Sequence, residues 1–204
     1  MIADIYNKIN GLRLRESSED NLTGNFFGVL RYIPSNIGLS SVIDNIRFDS
    51  EKFADGSILI KKHLSQVVPE NYKFWPKFDN GREIDLLIED GKNFSIGIEV
   101  KFQSGLSSDN EEDSNTDLEN SLNQLHIYIQ QMKEREFPCL ILIAPYTQGI
   151  EIYKRTLKTI SSTDIGFFGF LSWEQIFSNV HDALLRSDVA RAFPNGVILS
   201  DLLA

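Results

Sequence analysis

The spacing of hydrophobic positions changes along the chain, and the changes divide it into elements. After a weakly patterned arm over 1–16, Ser17 and Ser18 offer an N-cap. Leu22, Phe26, Val29, Leu30 and Ile33 then follow at helical spacing until Pro34 stops the run. The spacing predicts a helix over about 18–33, others over about 38–48 and 57–67, and an end to that region at Pro69. The period then shortens. YKFWPKF (72–78), EIDLLIE (83–89) and FSIGIEVKF (94–102) read as strands, the last two joined through Asp90, Gly91, Lys92 and Asn93 as a hairpin. The polar, acidic residues 103–117 predict a mobile loop. Leu118, Leu122, Leu125, Ile129 and Met132 form one stripe of a helix over about 117–136. PCLILIA (138–144) is a continuous apolar run, as a strand buried on both faces requires. A helix over 149–161, a strand over 165–171 and a helix to about 182 follow, the last opened by a Ser172/Gln175 capping box. Residues 187–204 carry no clear pattern. No internal repeat and no linker interrupts this order, which predicts one α/β domain over 1–204 with its core at about 18–182.

Composition adds limits. The 204 residues are 42% hydrophobic and 24% charged, which suits a globular domain and excludes a disordered, collagen-like or coiled-coil chain. Net charge is −9, and phosphate-driven affinity needs a positive surface, so a generally basic nucleic-acid coat is excluded. The acid is uneven: residues 106–119 hold six acids and no base, leaving 23 acids against 20 bases elsewhere. Cys139 is the single cysteine, so neither an intramolecular disulfide nor a cysteine metal cluster can form. No signal-peptide pattern and no membrane-spanning apolar stretch is present, and the expected location is the cytoplasm.

Candidate chemistry comes from the hairpin. In 94–102, Phe94, Ile96, Ile98, Val100 and Phe102 share one apolar face, and Ser95, Gly97, Glu99 and Lys101 share the other. In 83–89, Ile84, Leu86 and Ile88 form the apolar face, with Asp85 and Leu87 opposite. If Gly91, Lys92 and Asn93 form a three-residue loop, paired positions sum to 184, and Asp85 faces Glu99 with Lys101 one step along. Two facing carboxylates repel, and partly buried they cost several kcal/mol unless paired. A divalent cation resolves this: hard cations take carboxylate oxygens, a backbone carbonyl and waters, and they polarise phosphoryl oxygens. Lys101 would then orient or deprotonate the attacking water, or stabilise the pentacovalent charge. The bland alternative is an edge hairpin with a solvated charged face and a cross-strand Glu–Lys pair. No Walker loop or dinucleotide fingerprint is present, and His63, His126 and His181 lack metal-ligand spacing.

Asp85 followed by Glu99-Val100-Lys101 at the end of the next strand resembles the signature of the PD-(D/E)XK nuclease superfamily. Ile84 stands where proline often does. The resemblance spans the first helix and residues 72–144, and implies a restriction-endonuclease-like αβββαβ core with a mixed central sheet flanked by helices. It implies Asp85, Glu99 and Lys101 as catalytic residues. It implies Asp85, Glu99 and the Val100 carbonyl as ligands of Mg²⁺ or Mn²⁺, with Glu19 on the first helix as a further ligand. Gln124 and Tyr128 match the glutamine–three–tyrosine pattern of RecB-like members, where the pair helps position substrate or order the site. The implied activity is phosphodiester hydrolysis, in DNA rather than RNA, in repair, restriction or phage defence. No membrane is implied, and a homodimer or a protein partner is compatible. The alternative is a catalytically inactive nuclease-fold subunit that binds or regulates.

Overall fold

The computed structural model describes residues 18–43, 45–49, 51–53, 55–64, 67–101, 111–161 and 163–186. The expectations for 1–16, Ser17 and 187–204 lie outside them. Helices α1 (Ser18–Leu30) and α2 (Gly38–Ile43), strand β1 (Arg47–Phe48) and helix α3 (Gly56–Leu64) come first. A 3-10 turn (Pro69–Asn71) leads into β2 (Tyr72–Phe74), β3 (Leu86–Glu89) and β4 (Ser95–Val100). Then come α4 (Glu111–Met132), β5 (Pro138–Ala144), α5 (Tyr146–Thr159), β6 (Phe167–Ser172) and α6 (Trp173–Arg186).

The strands form a mixed six-stranded sheet flanked by α-helices, in the order β1-β6-β5-β4-β3-β2. β4, β5 and β6 run parallel, whereas β1, β2 and β3 pair antiparallel with their neighbours. Apolar side chains of α1, α2, α3 and α6 pack with Leu86, Ile88, Ile96, Ile98 and Val100 on one face. Those of α4 and α5 pack with Leu87, Leu140, Leu142, Phe168 and Phe170 on the other. With both faces covered, β5 is buried almost throughout, and its unbroken apolar sequence follows from that.

The β3/β4 register is the expected one: Leu86 faces Ile98, Leu87 faces Gly97, and Ile88 faces Ile96. The turn that fixes it is held by Asp90. Its Oδ1 accepts from the backbone N–H groups of Asn93 (2.7 Å) and Lys92 (2.9 Å), and Gly91 takes φ +77°. Among the described residues no helix is long and apolar enough to cross a membrane.

Three expectations need correction. Ile84 does not share the face of Leu86 and Ile88; it packs with Leu87 on the α4 side. The chain bends at Asp85, because residues 76–84 form a second small hairpin. There Phe78 N–H donates to the Arg82 carbonyl (2.8 Å), and Lys77 and Glu83 pair through their backbones as an isolated antiparallel β-bridge. The bend breaks the alternation, and Ile84 lands over Gly97, where an added Cβ would lie 2.8 Å from its Cδ1. The helix expected over 38–48 ends at Ile43, and Arg47 and Phe48 pair with Phe170 and Gly169 at the sheet edge. The expected loop 103–117 is helical from Glu111 onward, while 102–110 lie outside the described residues. Acidic residues suit a first helical turn, where unpaired N–H groups and the helix dipole favour negative charge.

Candidate functional site

Asp85 sits in the bend immediately before β3, and Glu99 is the next-to-last residue of β4. The ladder's last pair is Leu86 with Ile98, so Asp85 and Glu99 each lie one residue beyond it. The Asp85 Oδ2 accepts the backbone N–H of Val100 at 2.7 Å, so its carboxylate lies beside the residue that follows Glu99. Glu99 is 2% exposed, and its Oε1 is paired with Lys101 Nζ at 2.8 Å. Asp85, Glu99, Val100 and Lys101 are therefore brought together. Lys101 pairs with Glu99, and Asp85 takes the Val100 amide.

Helix α4 brings the next pair. Gln124 Nε2 donates to the Tyr128 hydroxyl at 2.7 Å, and that hydroxyl donates to the Glu83 carbonyl at 2.6 Å. Tyr128 is 1% exposed, so its hydroxyl is spent on the protein itself. Burial first, then the nearby charges of Glu99 and Asp85, push that hydroxyl well above the ordinary tyrosine range, against the Gln124 bond and Arg82. It remains a neutral donor at physiological pH.

Glu19 lies in the second position of α1, and its side chain is outside the described residues. Among the described residues, no group of three or more His, Cys, Asp or Glu side chains could hold a metal ion. What Asp85, Glu99 and Val100 offer is two carboxylates and a backbone carbonyl. All are hard oxygen donors, as Mg²⁺ and Mn²⁺ prefer, and such ions routinely complete their shells with water and substrate oxygens. The residues fit a cation of that class.

His126 is held between α4 and α5, Nδ1 on the Leu122 carbonyl and Nε2 on Thr159 Oγ1, each at 2.7 Å. His63 packs against Phe137 and Phe94. Burial pushes the Cys139 thiol up, which unsuits it as a nucleophile.

Two features near the site escape the sequence pattern. Trp75 adopts φ +49° and donates its backbone N–H to the Asp85 carbonyl at 3.0 Å. A bulky side chain in the left-handed region costs about 1–3 kcal/mol and marks an over-determined corner. Trp173, the first residue of α6, donates its indole N–H to the Lys101 carbonyl at 3.1 Å. Seventy-two positions separate the pair, so no local pattern announces it. No protein-family model matches the chain, and no curated protein or solved structure matches it significantly.

Proposed function

We propose that the chain is a metal-dependent nuclease that hydrolyses phosphodiester bonds on a restriction-endonuclease-like core. The observation that carries this reading is the carboxylate pair at the end of β4. Asp85 is bonded to the Val100 amide, and Glu99, buried, is paired with Lys101. With α2, β1 and α3 standing as an insertion between α1 and β2, the order α1, β2, β3, β4, α4, β5 supports it, since that is the helix, meander, helix and strand order of the PD-(D/E)XK superfamily.

Asp85, Glu99 and the Val100 carbonyl would hold Mg²⁺ or Mn²⁺, with Glu19 as a further ligand. A cation so held supplies Lewis-acid polarisation of a phosphoryl oxygen and a more acidic water. The chain's own residues do the rest. Lys101, kept beside Glu99, sets the water's orientation and offsets negative charge as the phosphorane forms. Tyr128 and Gln124 fix the Glu83 carbonyl, and through it the bend that aims Asp85. DNA is favoured over RNA because most of the superfamily cleaves DNA, and repair, restriction or phage defence in the cytoplasm are the settings that fit.

A second reading is a catalytically inactive nuclease-fold subunit that binds or regulates. It is favoured by the self-consistency of the charges: Glu99 already has Lys101, and Asp85 already has a backbone amide. One experiment separates the two. Single- and double-stranded DNA and RNA are incubated with the protein in Mg²⁺, Mn²⁺ or EDTA, beside Lys101→Ala and Asp85→Ala. Cleavage by the unaltered protein alone, abolished by EDTA, is expected. Equal activity in all three proteins would overturn the site assignment, and tight binding without cleavage would favour the second reading.

A further inference from the structure

The β4/β5 ladder is parallel, and alternate residues of β4 make its hydrogen bonds. Ser95 N–H donates to the Phe137 carbonyl (3.4 Å), and Lys101 N–H donates to the Ile143 carbonyl (2.7 Å) at the same offset. In such a ladder each residue that donates on one side also accepts from the residue two places further along the partner. The carbonyl of Lys101 therefore faces the nitrogen of residue 145. That residue is Pro145, which has no N–H. The place of the missing donor is taken by the indole N–H of Trp173 at 3.1 Å.

We infer that Trp173 is a positioning residue for Lys101, closing from α6 the ladder bond that Pro145 cannot make. The inference rests on the nuclease reading for its meaning, though not for its geometry. β5 clamps the N–H side of Lys101 and Trp173 clamps the carbonyl side, so the main chain that carries the lysine is held at both peptides. The indole's aim is itself fixed: its ring meets Phe26 of α1 edge-on at 5.7 Å, and the Ser172/Gln175 capping box seats the first turn of α6. Lys101 thus reports the mutual placement of α1, α6 and the sheet. A lysine displaced by a fraction of an ångström would still pair with Glu99 yet miss the water it must orient, and misplacement of about 1 Å can cost a hundredfold in rate.

The test is Trp173→Phe, which keeps an aromatic ring but removes the indole's five-membered ring with its N–H donor. The expected result is a fall of about tenfold in kcat for nucleic-acid cleavage with KM little changed, and a shifted Lys101 side-chain signal in protein labelled with ¹³C-lysine. Pro145→Ala in that background returns a main-chain N–H to the ladder position and should recover most of the loss. A role in packing alone predicts that Pro145→Ala recovers nothing, because it restores a donor and no ring. Wild-type kcat and an unmoved Lys101 signal in Trp173→Phe would overturn the inference. Should that variant not fold, Phe26→Leu loosens the ring's seat and keeps the indole, and an unchanged kcat there would be equally fatal. The unaltered protein gives a further readout without catalysis, since the Trp173 indole proton should exchange slowly with solvent. Rapid exchange sinks the inference even if cleavage is found. A protein that cleaves nothing but protects this proton loses the nuclease reading alone.

Discussion

Tyr128 is buried, and its hydroxyl reaches the chain just before Asp85. Its hydroxyl accepts from Gln124 and donates to the Glu83 carbonyl, two residues before Asp85. Burial and the neighbouring carboxylates of Glu99 and Asp85 keep it protonated, so the donor role is secure across the physiological range. Tyr128→Phe would leave the Glu83 carbonyl and the Gln124 amide without this partner. A buried polar group left unsatisfied costs about 1–3 kcal/mol. Urea denaturation at neutral pH should show a loss of that size, with cleavage falling further because the bend at Asp85 loosens. An unchanged midpoint together with unchanged cleavage would mean that the hydroxyl positions nothing. The glutamine–tyrosine spacing is visible in the sequence. Its object is not, because the Glu83 carbonyl is a backbone group that any residue would supply.

At the scale of elements, the β3/β4 hairpin was legible because two constraints agreed: an alternating apolar face and a turn rich in Asp, Gly and Asn. The bend at Asp85 was not, since it depends on the hydrogen bond from the Trp75 N–H and on the 76–84 hairpin beside it. β1 was missed for a related reason. Two residues carry no period, and Arg47 and Phe48 become a strand only by pairing with β6. The turn supports a prediction of its own. The backbone N–H groups of Asn93 and Lys92, then the Asn93 side chain, hold the Asp90 carboxyl well below the usual carboxylate range. A depressed folded-state pKa means that the stabilisation is complete above the unfolded value of about 3.9 and is lost as pH falls toward the folded value. Asp90→Ala should therefore be less stable than the unaltered protein at pH 7, with the gap closing below about pH 4. Thermal melts across that range measure it, and a gap that persists undiminished into acid would assign the loss to something other than the ionised carboxylate.

Across the whole molecule, the site lies where three parallel strands end. Lys101 follows β4, Pro145 follows β5, and Trp173 follows β6. The carboxyl ends of strands are where open α/β sheets place their ligands. The sequence put Asp85, Glu99 and Lys101 together from one hairpin; joining α6 to them requires the sheet order, which no local pattern encodes. The net charge of −9 changes meaning with that geometry. Overall acidity weakens nonspecific attraction to phosphate, but on the proposed metal reading a cation at Asp85 and Glu99 would relieve repulsion there and draw phosphate in. Binding to the folded state alone adds about 2.7 kcal/mol at a hundredfold excess over Kd. For a chain near 200 residues, each kcal/mol raises Tm by about 2–4 °C. Mg²⁺ or Mn²⁺ at that excess should therefore raise Tm by roughly 5–10 °C. EDTA should reverse the gain, and Asp85→Asn should abolish it while leaving the metal-free protein folded. Because the readout is thermal, it tests the metal site even if the fold no longer cleaves. A shift of equal size in Asp85→Asn would place the cation elsewhere, and no shift in the unaltered protein would remove the metal from the proposal.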